Sequence, residues 1–159
     1  RCRRWAVEFG VIEREVFVDA SPEVVFDVVS SPEHVRRWWP DDAGYEPLPG
    51  ATGEIVFGER GAGGVVAQLT VLEAGSPRPV AFRWTQPEGE AAREGNSLLV
   101  RFDLTPSGAG TLLKMTESGF REMGWEVAVL ERQYREHLTG WDFYLPRLVA
   151  YATTPAVRS

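Results

Sequence analysis

The chain has 159 residues, of which 43% are hydrophobic and 25% charged, so it fits one folded domain and is not a disordered chain. Its formal net charge is −6 and no basic stripe offsets it, so we expect no nucleic-acid partner. The single cysteine, Cys2, excludes an internal disulfide. Without a signal-peptide pattern or an apolar run of about 18–20 residues, we expect a cytoplasmic protein without membrane association.

The first predicted elements are one strand and two short helices. Residues 11–18 alternate as in a half-buried strand, with Ile12, Val16 and Val18 on one face. Ser21 and Pro22 are typical of a helix N-cap and first turn, so a helix over 23–29 follows. Ser31 and Pro32 repeat this signal for a second helix that ends at Trp38.

The middle of the chain predicts about five antiparallel strands separated by turns. In the most regular of them, the residues of one face are Leu98, Val100, Phe102 and Leu104. They alternate with Leu99, Arg101 and Asp103. The glycine-rich run 58–64 enters a strand, so it predicts a hairpin turn and not a phosphate-binding loop, which must open a helix. The predicted strands cover residues 55–57, 65–72, 80–86, 98–104 and 111–117.

The last predicted element is a long amphipathic helix over residues 126–151. One stripe at helical spacing contains Val127, Leu130, Tyr134, Leu138, Trp141 and Leu145. Pro146 predicts a kink near Asp142. A lone long helix buries its stripe against a curved sheet, so we expect an α+β helix-grip fold. The expected divisions are an extension over 1–10, one domain over 11–152 and a tail over 153–159.

Together these segments resemble the START-like (Bet v1-like, SRPBCC) superfamily, and within it the domain named after the activator of Hsp90 ATPase. The resemblance covers about residues 11–152, through the order and spacing of several short motifs. These motifs are Ala20-Ser21-Pro22-Glu23-Val24-Val25-Phe26, Ser31-Pro32-Glu33 with Trp38, Phe82-Arg83-Trp84, Gly119-Phe120 and Gly140-Trp141. The superfamily implies a cavity between sheet and helix. Pro146 departs from its usual continuous helix.

A narrower resemblance is to the family branch of the calicheamicin self-resistance protein. It rests on Trp38-Trp39-Pro40 and on Phe120-Arg-Glu-Met123-Gly124. That branch binds an enediyne antibiotic and is cleaved in its own backbone, which implies natural-product binding or self-resistance. A sacrificial site would be a glycine, for which Gly108, Gly110, Gly119 and Gly124 are candidates. The alternative is that these four glycines only form turns and caps.

Large apolar side chains are the candidate ligand-binding residues. Trp84 and Trp141 are predicted to point into the space between sheet and helix, where they either stack on a ligand or fill the space. Trp38 and Trp39 are adjacent, so we expect their side chains to diverge, one into the core and one to a pocket mouth or solvent. The other apolar candidates for this cavity are Phe102, Met115 and Leu138.

Two polar residues are candidates for orienting a ligand. Strand parity places Glu117 on the inner face, where a buried carboxylate would need a partner. The alternative is that Glu117, near a strand end, reaches solvent. Tyr134 lies on the helix stripe and either presents its hydroxyl to a ligand or is a satisfied core tyrosine.

Catalytic, metal and cofactor sites are not predicted. His34 and His137 are the only histidines, and two isolated histidines do not supply the three or more ligands of a metal site. We expect both on the solvated surface. No nucleophile has a recognisable base motif beside it, and a Gly-x-Ser-x-Gly elbow is absent.

The favoured function is non-catalytic binding of an apolar or aromatic small molecule by a monomer or homodimer. One alternative is a polyketide cyclase or aromatase, which needs convergent polar groups; Glu117, Tyr134 and Arg101 are the ones available. Another is a protein-interaction module like the Hsp90 activator, for which Phe143 and Trp39 would supply an exposed patch. The fold alone does not choose among these.

Overall fold

The structure is a computed structural model, and it describes residues 9–75 and 79–158. One antiparallel seven-stranded sheet has the strand order β1-β7-β6-β5-β4-β3-β2. The strands are β1 (Val11–Val18), β2 (Asp42–Gly44), β3 (Thr52–Phe57), β4 (Val65–Ala74), β5 (Val80–Gln86), β6 (Leu98–Ser107) and β7 (Gly110–Ser118). The helices are α1 (Pro22–Ser30), α2 (Pro32–Trp38), α3 (Val127–Ala152) and α4 (Pro155–Arg158), with a 3-10 turn at Arg121–Met123.

The expected α+β helix-grip fold is confirmed. The sheet is curved, α1 and α2 follow the first strand, and α3 is the long C-terminal helix. The alternating side chains predicted on β6 are buried on its inner face, where Leu98, Val100 and Phe102 are at most 1% exposed. The core therefore lies between the inner face of the sheet and the helices.

The start of α1 follows from its capping sequence. The Ser21 hydroxyl accepts a hydrogen bond from the backbone N–H of Val24 at 3.4 Å, and Pro22 occupies the first turn. α2 begins at Pro32 without a side-chain cap and ends at Trp38, where the sequence predicted its end. The second of these helices is followed directly by Trp39.

The predicted strand count was one too low, because β2 was not predicted. This strand has three residues, Asp42–Gly44, and pairs with Glu54–Val56 of β3. Such a short segment with a glycine shows no alternation in sequence, so only its pairing defines it. The glycine-rich run 58–64 does form the connection between β3 and β4, as predicted.

One expectation about α3 needs correction. Val127 is 71% exposed and does not belong to the buried stripe, whose fully buried members are Trp141, Leu145, Leu148 and Ala152. Burial therefore concentrates in the C-terminal half of the helix. α3 continues as one helix through Pro146, which is exposed, and the kink near Asp142 stays a prediction.

The predicted division into extension, domain and tail stays a prediction. Residues 1–8 of the extension lie outside the described residues, and Phe9 is buried. The predicted tail contains the short helix α4. Within the described ranges, no helix is both long enough and apolar enough to cross a lipid bilayer.

Candidate functional site

A cavity of about 350 Å³ lies between α3 and the strands β3, β4 and β5. We call it the aromatic cavity, because five of its lining residues are Trp, Phe or Tyr. Its full lining is Trp39, Phe57, Val65, Ala67, Trp84, Thr85, Gln133, Glu136, His137, Gly140, Trp141 and Tyr144. Its size falls in the range of small-molecule sites, about 300–1,000 Å³.

The aromatic rings of the cavity pack against one another in fixed orientations. Trp39 lies at the centre, 5.3 Å from the Trp84 ring in an edge-to-face arrangement and 5.2 Å from the Trp141 ring. Phe57 extends the cluster, with its ring 5.9 Å from Trp84 and 6.1 Å from Tyr144. Such pairs are favoured by the ring quadrupoles, so the cavity wall is a connected aromatic surface.

A single carboxylate fixes three of the lining side chains. Glu117 on β7 has no exposed surface. Its Oε2 accepts a hydrogen bond from Trp84 Nε1 at 2.9 Å, and its Oε1 accepts one from Trp141 Nε1 at 2.8 Å. The same Oε1 lies 2.8 Å from His137 Nδ1. Glu117 therefore locks two indoles and one imidazole that come from different elements of the fold.

This arrangement decides two of the open expectations. The alternative that Glu117 reaches solvent is wrong, because β7 places it on the inner face beneath α3. The expected solvated surface position is also wrong for His137. The His137 side chain is 16% exposed and contacts Glu117, and His34 Nδ1 lies 2.7 Å from the Tyr151 hydroxyl. Both histidines thus have tertiary partners that lie far away in sequence.

The two adjacent tryptophans do not diverge as predicted. Trp38 and Trp39 are 0% and 4% exposed, and their rings stack with an interplanar angle of 20°. Trp38 donates its indole N–H to the Val28 carbonyl oxygen at 2.8 Å and is a core residue. Trp39 follows the end of α2 and lines the cavity. Because Trp39 is buried, it forms no exposed patch with Phe143, which is 57% exposed.

Four other candidate residues lie outside the aromatic cavity. Phe102 and Met115 have no exposed surface and belong to the closed core. Leu138 is half-buried and packs against that core. Tyr134 donates its hydroxyl to the Val11 carbonyl oxygen at 2.8 Å, so it connects α3 to β1 instead of facing the cavity. Strand alternation and helical spacing predict which side chains point to the inner face. They do not predict which of those side chains are buried completely and which line a cavity.

Several lining residues were not among the sequence candidates. His137 and Tyr144 lie four and three residues from Trp141 on α3, and this same-face spacing is a signal that the sequence did contain. Gly140 directly precedes Trp141, and helical spacing alone does not place it on that face. Phe57, Val65 and Ala67 lie on neighbouring strands, and their contribution depends on the pairing of β3 with β4. Thr85 has no sequence signal, because strict alternation along β5 places it on the outer face.

The hydroxyl of Tyr144 supplies a polar group at the cavity wall. Burial raises the pKa of Tyr144, and the negative charge of Asp41 raises it further, while Arg147 acts in the opposite direction. The phenol is therefore protonated at neutral pH and can donate a hydrogen bond. Among residues 9–75 and 79–158, no group of three or more His, Cys, Asp and Glu side chains could hold a metal ion.

The four candidate sacrificial glycines do not line the aromatic cavity. Gly110 is required by close packing, because a Cβ there would lie 2.6 Å from the Val18 carbonyl oxygen. Gly119 has a φ of 102°, and a Cβ would lie 3.0 Å from the Ser97 carbonyl oxygen. The glycine that does line the cavity is Gly140 on α3.

Solved structures with the same fold are known from several bacteria. CalU16 from Micromonospora echinospora is 19% identical, with a TM-score of 0.59, and the match covers 93% of this chain and 78% of that one. DynU16, described as a putative protein in the dynemicin biosynthetic locus, is 21% identical with a TM-score of 0.66, over 91% of this chain and 48% of that one. The Aha1 dimer from Colwellia psychrerythraea is 19% identical with a TM-score of 0.62, over 87% and 92% of the two chains. At these identities the likeness shows the fold alone.

Sequence comparison gives a broader assignment. No curated protein is similar enough to this chain to count as a match. The family model described as activator of Hsp90 ATPase homolog 1-like protein matches residues 19–153, which include α1, α2, all strands from β2 to β7 and α3. This chain therefore belongs to the activator of Hsp90 ATPase homolog 1-like family.

Proposed function

We propose that the protein binds a flat apolar or aromatic small molecule in the aromatic cavity. The observation that carries this proposal is the Glu117 carboxylate, which orients the indoles of Trp84 and Trp141 through bonds of 2.9 and 2.8 Å. Burying a carboxylate costs free energy unless it is well paired. If Glu117 only filled a closed core, an apolar side chain at this position would stabilise the fold as well. A buried carboxylate that orients two cavity-lining rings therefore favours a binding role.

The energetic basis of binding is apolar burial by a preformed site. Each Å² of apolar surface removed from water contributes about 25 cal/mol. Ordering side chains on binding costs about 0.5–1.5 kcal/mol for each flexible group. Trp39, Trp84 and Trp141 are already fixed by ring packing and by Glu117, so a ligand avoids most of that cost.

The first ligand class to test is aromatic polyketides and enediyne-type natural products. The DynU16 description names a biosynthetic locus for dynemicin, and its fold is the same. We therefore propose a role in natural-product handling or self-resistance for this chain. A flat polycyclic compound suits the aromatic walls because it can stack on one ring while its edge contacts another.

Intrinsic tryptophan fluorescence tests this proposal directly. Titration with a panel of anthraquinones, other flat polyketides and enediyne-type compounds should produce saturable quenching at micromolar concentration. Trp84→Ala and Trp141→Ala should weaken the binding of each hit by tenfold or more. A panel without any saturable response would contradict the proposal.

Replacing Glu117 tests whether this residue affects ligand binding by positioning the Trp84 and Trp141 rings, since it does not itself line the cavity. In Glu117→Gln, the amide cannot accept hydrogen bonds at both positions, so one indole N–H loses its partner. We expect a loss of about 2 kcal/mol in the free energy of unfolding, measured by urea denaturation. We also expect weaker ligand binding, although the lining contains no atom of Glu117. Unchanged affinity in a folded Glu117→Gln protein would show that the carboxylate does not position the cavity.

A second candidate function is acid–base catalysis, which the pairing of His137 with Glu117 favours. His137 Nδ1 lies 2.8 Å from the carboxylate, and His137 also lines the cavity. A carboxylate that orients an imidazole in this way leaves the other ring nitrogen available as a proton acceptor. Mass spectrometry of a bound polyketone would distinguish the outcomes. Altered ligand mass indicates an enzyme, a cut chain indicates self-sacrifice, and an unchanged ligand supports binding alone.

A further inference from the structure

β5 contains an irregularity beside the aromatic cavity. Leu69 of β4 pairs with Trp84, and the residue before it, Gln68, pairs with Gln86. Thr85 is therefore an extra residue in β5 without a partner on β4. Its φ is 72°, which is unfavourable for a β-branched residue. Bulges of this kind redirect side chains and are common next to functional sites. Here the bulge directs Thr85 to the cavity wall, where regular alternation would not place it.

Thr85 and its neighbour Gln86 also carry buried polar atoms without partners. Within the described residues, Thr85 Oγ1 and Gln86 Oε1 are the buried side-chain atoms that make no hydrogen bond. Gln86 is 5% exposed, and its Nε2 donates to Thr70 Oγ1 at 2.7 Å. Reversing the amide would still leave one of its polar atoms unpaired. Buried polar groups are nearly always satisfied, so two adjacent exceptions point to a ligand-binding role.

A second cavity of about 520 Å³ adjoins the aromatic cavity at this bulge. We call it the polar cavity, because Gln68, Gln86 and charged side chains line it. Both cavities are bounded by Val65, Ala67 and Thr85, so the two spaces share a wall. An arm that runs from a flat body in the aromatic cavity to Gln86 would have to pass Thr85, which borders both cavities.

The charges of the polar cavity restrict the chemistry of such an arm. Glu54 accepts hydrogen bonds from Gln68 Nε2 at 3.1 Å and from Arg60 at 2.9 Å. These bonds lower the pKa of Glu54, so it is ionised at neutral pH. Glu88 adds a second acidic residue against the single Arg60. An anionic arm would be repelled, whereas a neutral group meets no charge penalty.

We propose that Thr85 and Gln86 form a second ligand subsite, which binds a hydroxyl group on an arm of the ligand. A hydroxyl both donates and accepts, so it can satisfy the Thr85 hydroxyl together with either unpaired atom of the Gln86 amide. This inference rests on the proposed binding function of the aromatic cavity. It adds that the natural ligand is an aromatic molecule with a hydroxylated substituent.

The test uses two matched probes that differ in one group. One is an anthraquinone with a hydroxyethoxy arm, and the other has a propoxy arm of the same length, both prepared in several arm lengths. At the best arm length, the wild-type protein should bind the hydroxyl probe about tenfold more tightly than the propoxy probe. In Thr85→Val and Gln86→Met the ratio of the two affinities should fall to about twofold or less, because the hydroxyl probe loses its partner and the propoxy probe has none to lose.

Two further variants guard against indirect effects. Thr85→Ser keeps the hydroxyl and should retain the preference, whereas Thr116→Val makes the matched change on β7 and should not alter it. Equal binding of both probes at all arm lengths, or an unchanged preference in Thr85→Val and Gln86→Met, would overturn the subsite while leaving the aromatic cavity intact. Failure of both probes to bind would instead contradict the proposed function and, with it, this inference.

Discussion

Thr85 is the one residue other than glycine with a positive φ in the described part of the chain. Such a conformation costs about 1–3 kcal/mol and persists only when surrounding structure imposes it. Regular pairing on both sides of the bulge imposes it here, with Trp84 opposite Leu69 and Gln86 opposite Gln68. Strain at this single residue therefore accompanies the placement of Thr85 at the cavity wall.

Removing this strain should stabilise the protein and impair selectivity. In Thr85→Gly the positive φ is no longer unfavourable, so we expect the free energy of unfolding to rise by about 1 kcal/mol in urea denaturation. The preference for a hydroxyl probe should be lost at the same time. The matched variant Thr116→Gly, in a regular strand, should lower stability by about 0.5–1 kcal/mol. A destabilised Thr85→Gly protein would show that the bulge carries little strain.

At the scale of one element, α3 contributes to both the core and the aromatic cavity. Its C-terminal half buries Leu145 and Leu148 in the core, while His137, Gly140 and Trp141 face the aromatic cavity. A glycine in a helix interior is unfavourable, by about 1 kcal/mol relative to alanine. At Gly140 nothing forbids a side chain, because a Cβ would lie 3.7 Å from the nearest Tyr144 carbon. Space in the cavity is therefore the property that this glycine supplies.

Gly140→Ala should stabilise the helix and reduce ligand binding. The added methyl group fits beside Tyr144 and should raise the free energy of unfolding by about 1 kcal/mol. The same group enters the cavity, so the affinity for a flat aromatic probe should fall severalfold in a fluorescence titration. Thr139→Ala provides the control, since Thr139 is exposed on α3 and does not line the aromatic cavity. Equal affinity in Gly140→Ala and wild type would place the ligand elsewhere.

At the scale of the whole molecule, the aromatic cavity is built from the sheet, the residue that follows α2, and α3. Phe57 and Trp84 come from the sheet, Trp39 from the end of α2, and Trp141 from α3. Glu117 connects β7 to both β5 and α3 through its bonded indoles. Loss of the native packing therefore removes the site entirely, and a ligand bound there opposes global unfolding.

A cavity ligand should accordingly raise the melting temperature. At a free concentration of a hundred times Kd, binding to the native state alone adds about 2.7 kcal/mol. For a domain of this size that corresponds to an increase in Tm of about 8 °C, which thermal denaturation at several ligand concentrations can measure. In Trp141→Ala, whose affinity is expected to be at least tenfold lower, the same ligand concentration should raise Tm by about half as much or less. A fluorescence response without any change in Tm would indicate a surface contact instead of cavity binding.

The sequence by itself determined the fold class and the identity of many inner-face residues. Strand alternation, the Ser-Pro helix starts and the long helical stripe are local patterns, because each depends only on residues of one continuous segment. Parity placed Glu117 on the inner face, and helical spacing placed Trp141 there, because side-chain direction follows directly from backbone period. The same local patterns did not predict β2, because a strand of three residues is too short to show alternation. They also placed Val127 in the buried stripe, although no distant element covers this residue and it is exposed.

Only the tertiary structure decided which inner residues surround empty space. Phe102 and Met115 are buried in the core while Trp39 and Trp84 line a cavity, and no local period distinguishes these two outcomes. The contacts of Glu117 with Trp84 and His137 join residues 33 and 20 positions apart. The bulge at Thr85 likewise arises from pairing between two strands. Long-range packing therefore formed the aromatic cavity, although the inward direction of most of its side chains follows from local backbone period.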